Sequence, residues 1–304
     1  MESQLGMKQL FVVTLFAFIG CFAIPSDGAE AISSPDHPPS SHASQRTLTY
    51  YSAFPDKGFA QVVAHSLGKK ASDVVTRDEL ASFSGSIDAS FPPNDETENA
   101  GEIQDLTGIG YLKGMTEFAV YKNGVTTLPP EIKELKNLRV LNLTKAYGLS
   151  TLPPEIGQLP KLRELHVALT DLGSLPKELC NLKTLKLLDV STTRVSMLPS
   201  EIGRLTALEE LDVHSTLITT LPDSLCNLSN LKVLNLSYLG HLTKLPEKIG
   251  NLKNLESLNL FGDDIRTLPE SMSKMKKLEW LNVYDDFNLS ESYKGFLPKR
   301  LWLK

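Results

Sequence analysis

The sequence predicts an α/β solenoid: a stack of similar coils, each built from a short strand and a short helix, with a helical cap at its start. Three observations predict it. The phrase L-x-x-L-x-L, or a close variant, begins at Met115, Leu138, Leu162, Leu185, Leu208, Leu231, Leu255 and Leu278, always 23 or 24 residues apart. Most phrases are followed by Leu-Pro and a short amphipathic stretch, as in "LPPEIGQL" at 152–159 and "LPSEIGRL" at 198–205. Residues 47–112 break the phrase and show helical spacing instead.

In chain order, residues 1–31 read as a secretory signal peptide. Lys8 precedes an apolar run at 10–24, "PSDG" breaks the run, and Ala29-Glu30-Ala31 offers a small-x-small cleavage site. The run is shorter than the ~20 residues of a membrane span, so no span is expected. A second reading of the same stretch lipidates Cys21 and anchors the protein to an envelope. Residues 32–46, rich in Pro and Ser, read as a flexible leader. Residues 47–112 form the cap. Phe59, Val62, Val63 and Leu67 fall on one helical side, Asp56 can cap that helix, and Thr76 with Glu79 makes a capping box for another. A strand-like "SIDASF" follows at 86–91, then a polar loop at 92–102. The repeats fill 113–290, and 291–304 read as a short cover using Phe296, Leu297, Leu301 and Trp302.

Each repeat follows from simple chemistry. The L-x-L alternation makes a strand with its leucines facing inward. The proline sets a turn and can start the next helix. One coil cannot bury its leucines alone, so coils stack and share a core. Cys180 and Cys226 occupy the slot that holds Gly157, Gly203 and Gly250 in other units. Two units apart, at about 4.8 Å per strand, their backbones lie roughly 10 Å from each other, beyond the reach of a disulfide. They read as two separate small buried thiols.

This wording resembles the leucine-rich repeat family in its "LPxEIGxLxxLxxL" form over about residues 103–290. The resemblance implies a right-handed solenoid with a concave parallel β-sheet and short helices on the convex side. The family's usual turn asparagine is present as Asn123, while Thr170, Thr193 and Thr216 hold its slot later. The two 24-residue units carry their extra residue in this turn, at "TKAYGL" and "SYLGHL", where small bulges are expected. The cap, through "FPD" at 54–56, "LGKK" at 67–70, "VTRDEL" at 75–80, "IDAS" at 87–90 and "LTGIGYL" at 106–112, resembles the N-terminal cap of the internalins. Those are secreted or surface proteins of Listeria and related bacteria. That resemblance implies a released protein whose concave face grips a protein partner, such as a host cell-surface receptor.

Function is sought among the non-leucine strand positions, which face the concave side. Tyr238, Phe261, Trp280 and Tyr284 gather toward the C-terminal end. They are either a binding hot spot or the ground on which the C-terminal cover folds. Glu164, His166, Asp189, Glu210, Asp212 and His214 cluster in the middle. They read as a cation or basic-partner site, or as a solvated polar ladder. A formal net charge of −5 speaks against non-specific nucleic-acid binding. No P-loop, nucleophile elbow or zinc spacing appears, so no catalytic residue, metal or cofactor is assigned. The leading function is therefore a secreted, non-enzymatic protein-binding scaffold. The alternative is an envelope-associated protein that binds the cell's own surface components.

Overall fold

The computed structural model describes residues 48–90, 102–283 and 291–298. The segments expected to be a signal peptide and a leader, nearly all of the 92–102 loop, Tyr284, Leu301 and Trp302 lie outside the described residues.

The cap is a small bundle with its own aromatic core. Strand β1 (Leu48–Thr49) pairs antiparallel with β2 (Val74–Val75). Helices α1 (Tyr50–Ala53), α2 (Lys57–Ser66) and α3 (Arg77–Ser82) complete it. Asp56 caps α2 as the sequence implies: one carboxylate oxygen accepts the Phe59 N–H at 2.9 Å. The other accepts the Gln104 and Asp105 N–H groups at 2.9 and 3.2 Å, which fastens the cap to the segment that enters the repeats. The Thr76/Glu79 capping box forms in both directions, at 3.1 and 2.7 Å. Phe59, Val62 and Val63 are buried and Leu67 is packed against the core.

The cap also donates a strand. β3 (Ser86–Asp88) opens a nine-stranded parallel sheet that continues through β4 (Glu117–Ala119), β5 (Val140–Asn142), β6 (Glu164–His166), β7 (Leu187–Asp189), β8 (Glu210–Asp212), β9 (Val233–Asn235), β10 (Ser257–Asn259) and β11 (Trp280–Asn282). The strands stand side by side in chain order, the mark of a solenoid. The central residue of each strand from β3 to β10 is buried, and β4 uses Phe118 there in place of leucine. Phe118 meets Phe59 of the cap at 5.9 Å between rings, so the substitution joins cap core to repeat core.

After each strand from β4 to β10 the chain turns through a left-handed residue. Lys122, Lys145, Leu169, Thr192, Ser215 and Tyr238 have φ between 54° and 60°, and Gly262 takes the same slot at 74°. Each of the six non-glycine residues donates its N–H to a carbonyl of the next coil, for example Thr192 to His214 at 2.8 Å. That hydrogen bond offsets a conformation costing about 1–2 kcal/mol for residues with a Cβ. The two longer units carry an extra turn or bend at 147–148 and 240–241, where the sequence implied bulges.

The turn slot itself has two solutions. Asn123 bridges coils, donating to Ala89 and Tyr121 carbonyls and accepting the Ile103 N–H at 2.9 Å. Thr170, Thr193 and Thr216 instead donate within their own coil, each to the carbonyl three residues back at 2.8 Å. Asp263 fills the slot near the C-terminal end and accepts the Leu239 N–H at 2.9 Å, a bridge between coils that the sequence reading passed over.

The helices on the far side are single 3₁₀ turns of three to five residues, such as Pro154–Gln158 and Ile202–Arg204. A 23-residue coil leaves room for no more. Their Gly/Cys slot alternates along the array: Gly110, Lys133, Gly157, Cys180, Gly203, Cys226, Gly250, Ser273. At Gly157, Gly203 and Gly250 an added Cβ would collide with the carbonyl oxygens of Glu178, Ser224 and Ser271 in the next coil. The coil after each of these glycines is therefore drawn in close, while the coil after a cysteine leaves room for a side chain. Cys180 and Cys226 are buried free thiols, and burial pushes both up to about 11. They fill space, as their slot implies.

Past β11, a 3₁₀ turn at Glu291–Gly295 places Tyr293 and Leu297 in the core, with Phe296 packed against it. Among the described residues no helix is long and apolar enough to cross a membrane.

Candidate functional site on the open sheet face

Strand pairing aligns the outward residues into columns. One column runs Glu117, Val140, Glu164, Leu187, Glu210, Val233, Ser257, Trp280. The next runs Ala119, Asn142, His166, Asp189, Asp212, Asn235, Asn259, Asn282. Leu187 therefore separates Glu164 from Glu210, whereas Asp189 and Asp212 are direct neighbours.

Two adjacent carboxylates are tolerated because each is already engaged. Asp212 accepts the His214 N–H at 3.0 Å, lies 2.8 Å from His214 Nδ1, and accepts an Asn235 side-chain N–H at 3.0 Å. Asp189 accepts the Ser191 N–H at 3.0 Å and its hydroxyl at 2.6 Å, and faces His166 Nδ1 at 4.0 Å. Glu164 lies 3.6 Å from His166 Nε2. These two histidine contacts are ion-pair rather than hydrogen-bond distances. Burial alone would lower His166, but Asp189 and Glu164 on its two nitrogens outweigh it and raise it to about 9. Asp189 is held low by His166 and Ser191 against the upward push of its own burial, and Glu164 is held low chiefly by His166. His214 is raised by Asp212 against burial. Glu210 goes the other way: burial first, then Glu209 and Glu164, raise it. The middle of the face is thus a net acidic network in which His166, raised to about 9, is cationic at neutral pH. Among the described residues no group of His, Cys, Asp and Glu has the geometry to hold a metal ion.

The second column has a structural job that the sequence reading missed. Asp88, Asn142, Asp189, Asp212, Asn235 and Asn259 each accept, through a side-chain oxygen, the backbone N–H two residues on, at 3.0 to 3.2 Å. This Asx turn ends the strand and commits one oxygen of each residue. Its signal was the Asn or Asp recurring at the last strand position.

The aromatic end resolves into two parts. Tyr238, 57% exposed, meets Phe261 edge to face at 5.0 Å. Its left-handed backbone is pinned by an N–H bond to the Phe261 carbonyl at 2.7 Å. Trp280, 47% exposed, is in register with Ser257, four residues before Phe261. It stands roughly 13 Å from the pair along the strand direction.

A further hollow, of about 380 Å³, lies at the edge where the chain enters the strands. Lys186, Glu209, Lys232, Ala207, Asn230 and Asn254 line it. Glu209 bridges Lys186 at 2.7 Å and Lys232 at 2.6 Å, and the two ammonium groups drive its carboxyl down to about 2.

Residues 171–240 and 223–296 match the leucine-rich repeat region family, and the array has the leucine-rich repeat solenoid fold. A leucine-rich repeat protein of Leptospira interrogans is similar at 33% identity and a TM-score of 0.54, covering 58% of this chain and 45% of that one. This chain thus spans less than half the length of that protein. The leucine-rich repeat domain of the type III effector XopL is similar at 25% identity and a TM-score of 0.56, covering 64% of this chain and 69% of that domain. No curated protein matches the sequence.

Proposed function

We propose that this chain is a secreted, non-enzymatic scaffold whose open sheet face grips a partner protein, with the aromatic end as its anchor. Leucine-rich repeat arrays generally act as protein-binding scaffolds, because a long sheet held by a stacked core offers a broad, rigid surface. The carrying observation is the Tyr238–Phe261 pair: two rings in contact, one largely exposed, on a turn fixed by the coil beneath. Exposed aromatics on a rigid base lose little entropy on binding and dominate interface hot spots. The Glu164–His166–Asp189 and Asp212–His214 network, in which carboxylates outnumber imidazoles, forms the polar flank of that anchor. The sequence of residues 1–31 supports export, and the likeness of the cap to internalins supports a host cell-surface protein as the partner.

The test is a panel of host cell-surface proteins probed with the purified chain and with Tyr238→Ser and Trp280→Ser variants of matched melting temperature. The parent binds one or more members. Tyr238→Ser weakens that binding by about tenfold or more, equivalent to about 1.4 kcal/mol. A parent that binds nothing, or a Tyr238→Ser variant that binds as tightly as the parent, overturns the reading.

A further inference from the structure

We propose that the strand-entry edge in the first half of the array is a second binding surface, which takes a linear sulfated polysaccharide. The edge is lined by the residues just before each strand. In three consecutive coils its inner column is Arg139, Arg163 and Lys186, all exposed. Their backbones are hydrogen-bonded in series: the Arg163 N–H donates to the Arg139 carbonyl at 2.7 Å, and the Lys186 N–H to the Arg163 carbonyl at 2.7 Å. The charges therefore rise from a ladder of about 4.8 Å pitch. Lys136, Lys161 and Lys183, also exposed, flank them on the same edge.

Five of these six cations are poorly neutralised, and Lys186 is paired with Glu209 at 2.7 Å. Lys136, Lys161 and Lys183 donate to the Gln158 carbonyl, the Asn137 side chain and the Arg204 carbonyl, all uncharged acceptors. Among the described residues no carboxylate lies within ion-pair distance of these three lysines, of Arg139 or of Arg163. Glu164, the acid nearest Arg163 in sequence, faces His166. The strip ends where Glu209 takes Lys186, and the inner column then continues Lys232, Glu256, Glu279, mixed in sign. A positive strip on a chain of net charge −5 attracts a polyanion locally rather than through overall charge.

The chemistry favours sulfated sugar over nucleic acid. Guanidinium and ammonium groups in a row suit closely spaced sulfates. The edge segments 136–139, 160–163 and 183–186 carry no aromatic residue to stack a base, as single-stranded nucleic acid requires. The surface is separate from the aromatic end, so the proposal stands whether or not a protein partner binds there.

The experiment measures binding of the full chain to immobilised heparin across a salt series, with single-stranded oligo(dT) of matched charge as a second probe. Two charge-reversed variants are compared: Arg139→Glu/Arg163→Glu on the strip, and Lys253→Glu/Lys276→Glu on the same edge in the second half, an equal change of net charge. The parent binds heparin with an affinity that falls steeply with salt, the strip variant loses about tenfold or more, and the control variant binds as the parent does. Absence of heparin binding, or equal loss in both variants, overturns the site. Oligo(dT) binding as tight as heparin overturns the choice of a sulfated sugar.

Discussion

The two sides of the coil keep different time. On the sheet side the pattern repeats with every unit: a buried leucine between two outward residues, an Asx turn at most last strand positions, and a left-handed residue in nearly every turn. On the far side it repeats with every second unit, a glycine pressed against the next coil alternating with a larger side chain. The difference shows where stacking is decided. Backbone hydrogen bonds set an identical strand spacing everywhere. The 3₁₀ turns have no such ladder, and glycine stands where the next coil's carbonyl lies against the slot.

The largest expected effect comes from breaking the alternation. Deleting residues 161–183 would place the Gly157 coil directly against the Gly203 coil. Deleting 161–206 would place it against the Cys226 coil and keep the order intact. Thermal unfolding followed by circular dichroism should show the longer deletion melting higher and more cooperatively than the shorter one. The reverse ranking would mean that the far side adapts to any neighbour.

Next in size is a single atom. Gly250→Ala puts a Cβ into the Ser271 carbonyl and should cost about 3 kcal/mol in urea unfolding, as overpacking does. Cys226→Ala removes only a buried sulfur from the roomier slot and should cost about 1 kcal/mol. Equal costs would erase the distinction between the two kinds of slot.

On the sheet side the sharpest probe is pH. His166 is raised in the fold from an ordinary value near 6.5 to about 9. Its stabilisation is therefore fully present below pH 6.5 and is lost as pH rises through 9, by about 3 kcal/mol at most. Glu164 and Asp189 are lowered, so their contribution is present at neutral pH and is lost on acidification. A His166→Gln variant should flatten the alkaline limb of the stability profile, and an unchanged limb would show that the network is too well solvated to matter. The smallest effect should be a gain. Thr192, β-branched and exposed at φ 54°, replaced by Asn should raise stability by about 0.5–1 kcal/mol.

The sheet was far more legible in the sequence than the site. Leucines in phase announce which residues share a column, because hydrogen-bonded coils cannot slip by one residue without turning every leucine outward. The alternation on the far side was also in print, at Gly157, Cys180 and Gly203, but its meaning is a distance to the next coil, which no single unit carries. Asp189 and Asp212 read as possible ligands because a carboxylate in a column looks free until its bond to a backbone N–H two residues on is seen. Tyr238 and Phe261 lie near each other in the sequence pattern and meet in the fold, whereas Trp280 belongs to another column, in register with Ser257. The cap's helices followed from their capping residues. That its strand β3 enters the main sheet depended on a pairing across residues 91–101, too far for local pattern to reveal.

That strand has a consequence for how the chain comes into being. A polypeptide leaves the ribosome N-terminus first. The cap can close its aromatic core and present β3 as a row of open hydrogen-bonding groups before the last repeats are synthesised. Each coil of about 23 residues then needs only to lay its strand on the one before it, a contact local in sequence. Assembly is templated from one end, like a zipper started by its slider. An exposed growing edge exists at every stage, and each coil that docks covers the last and displays the next.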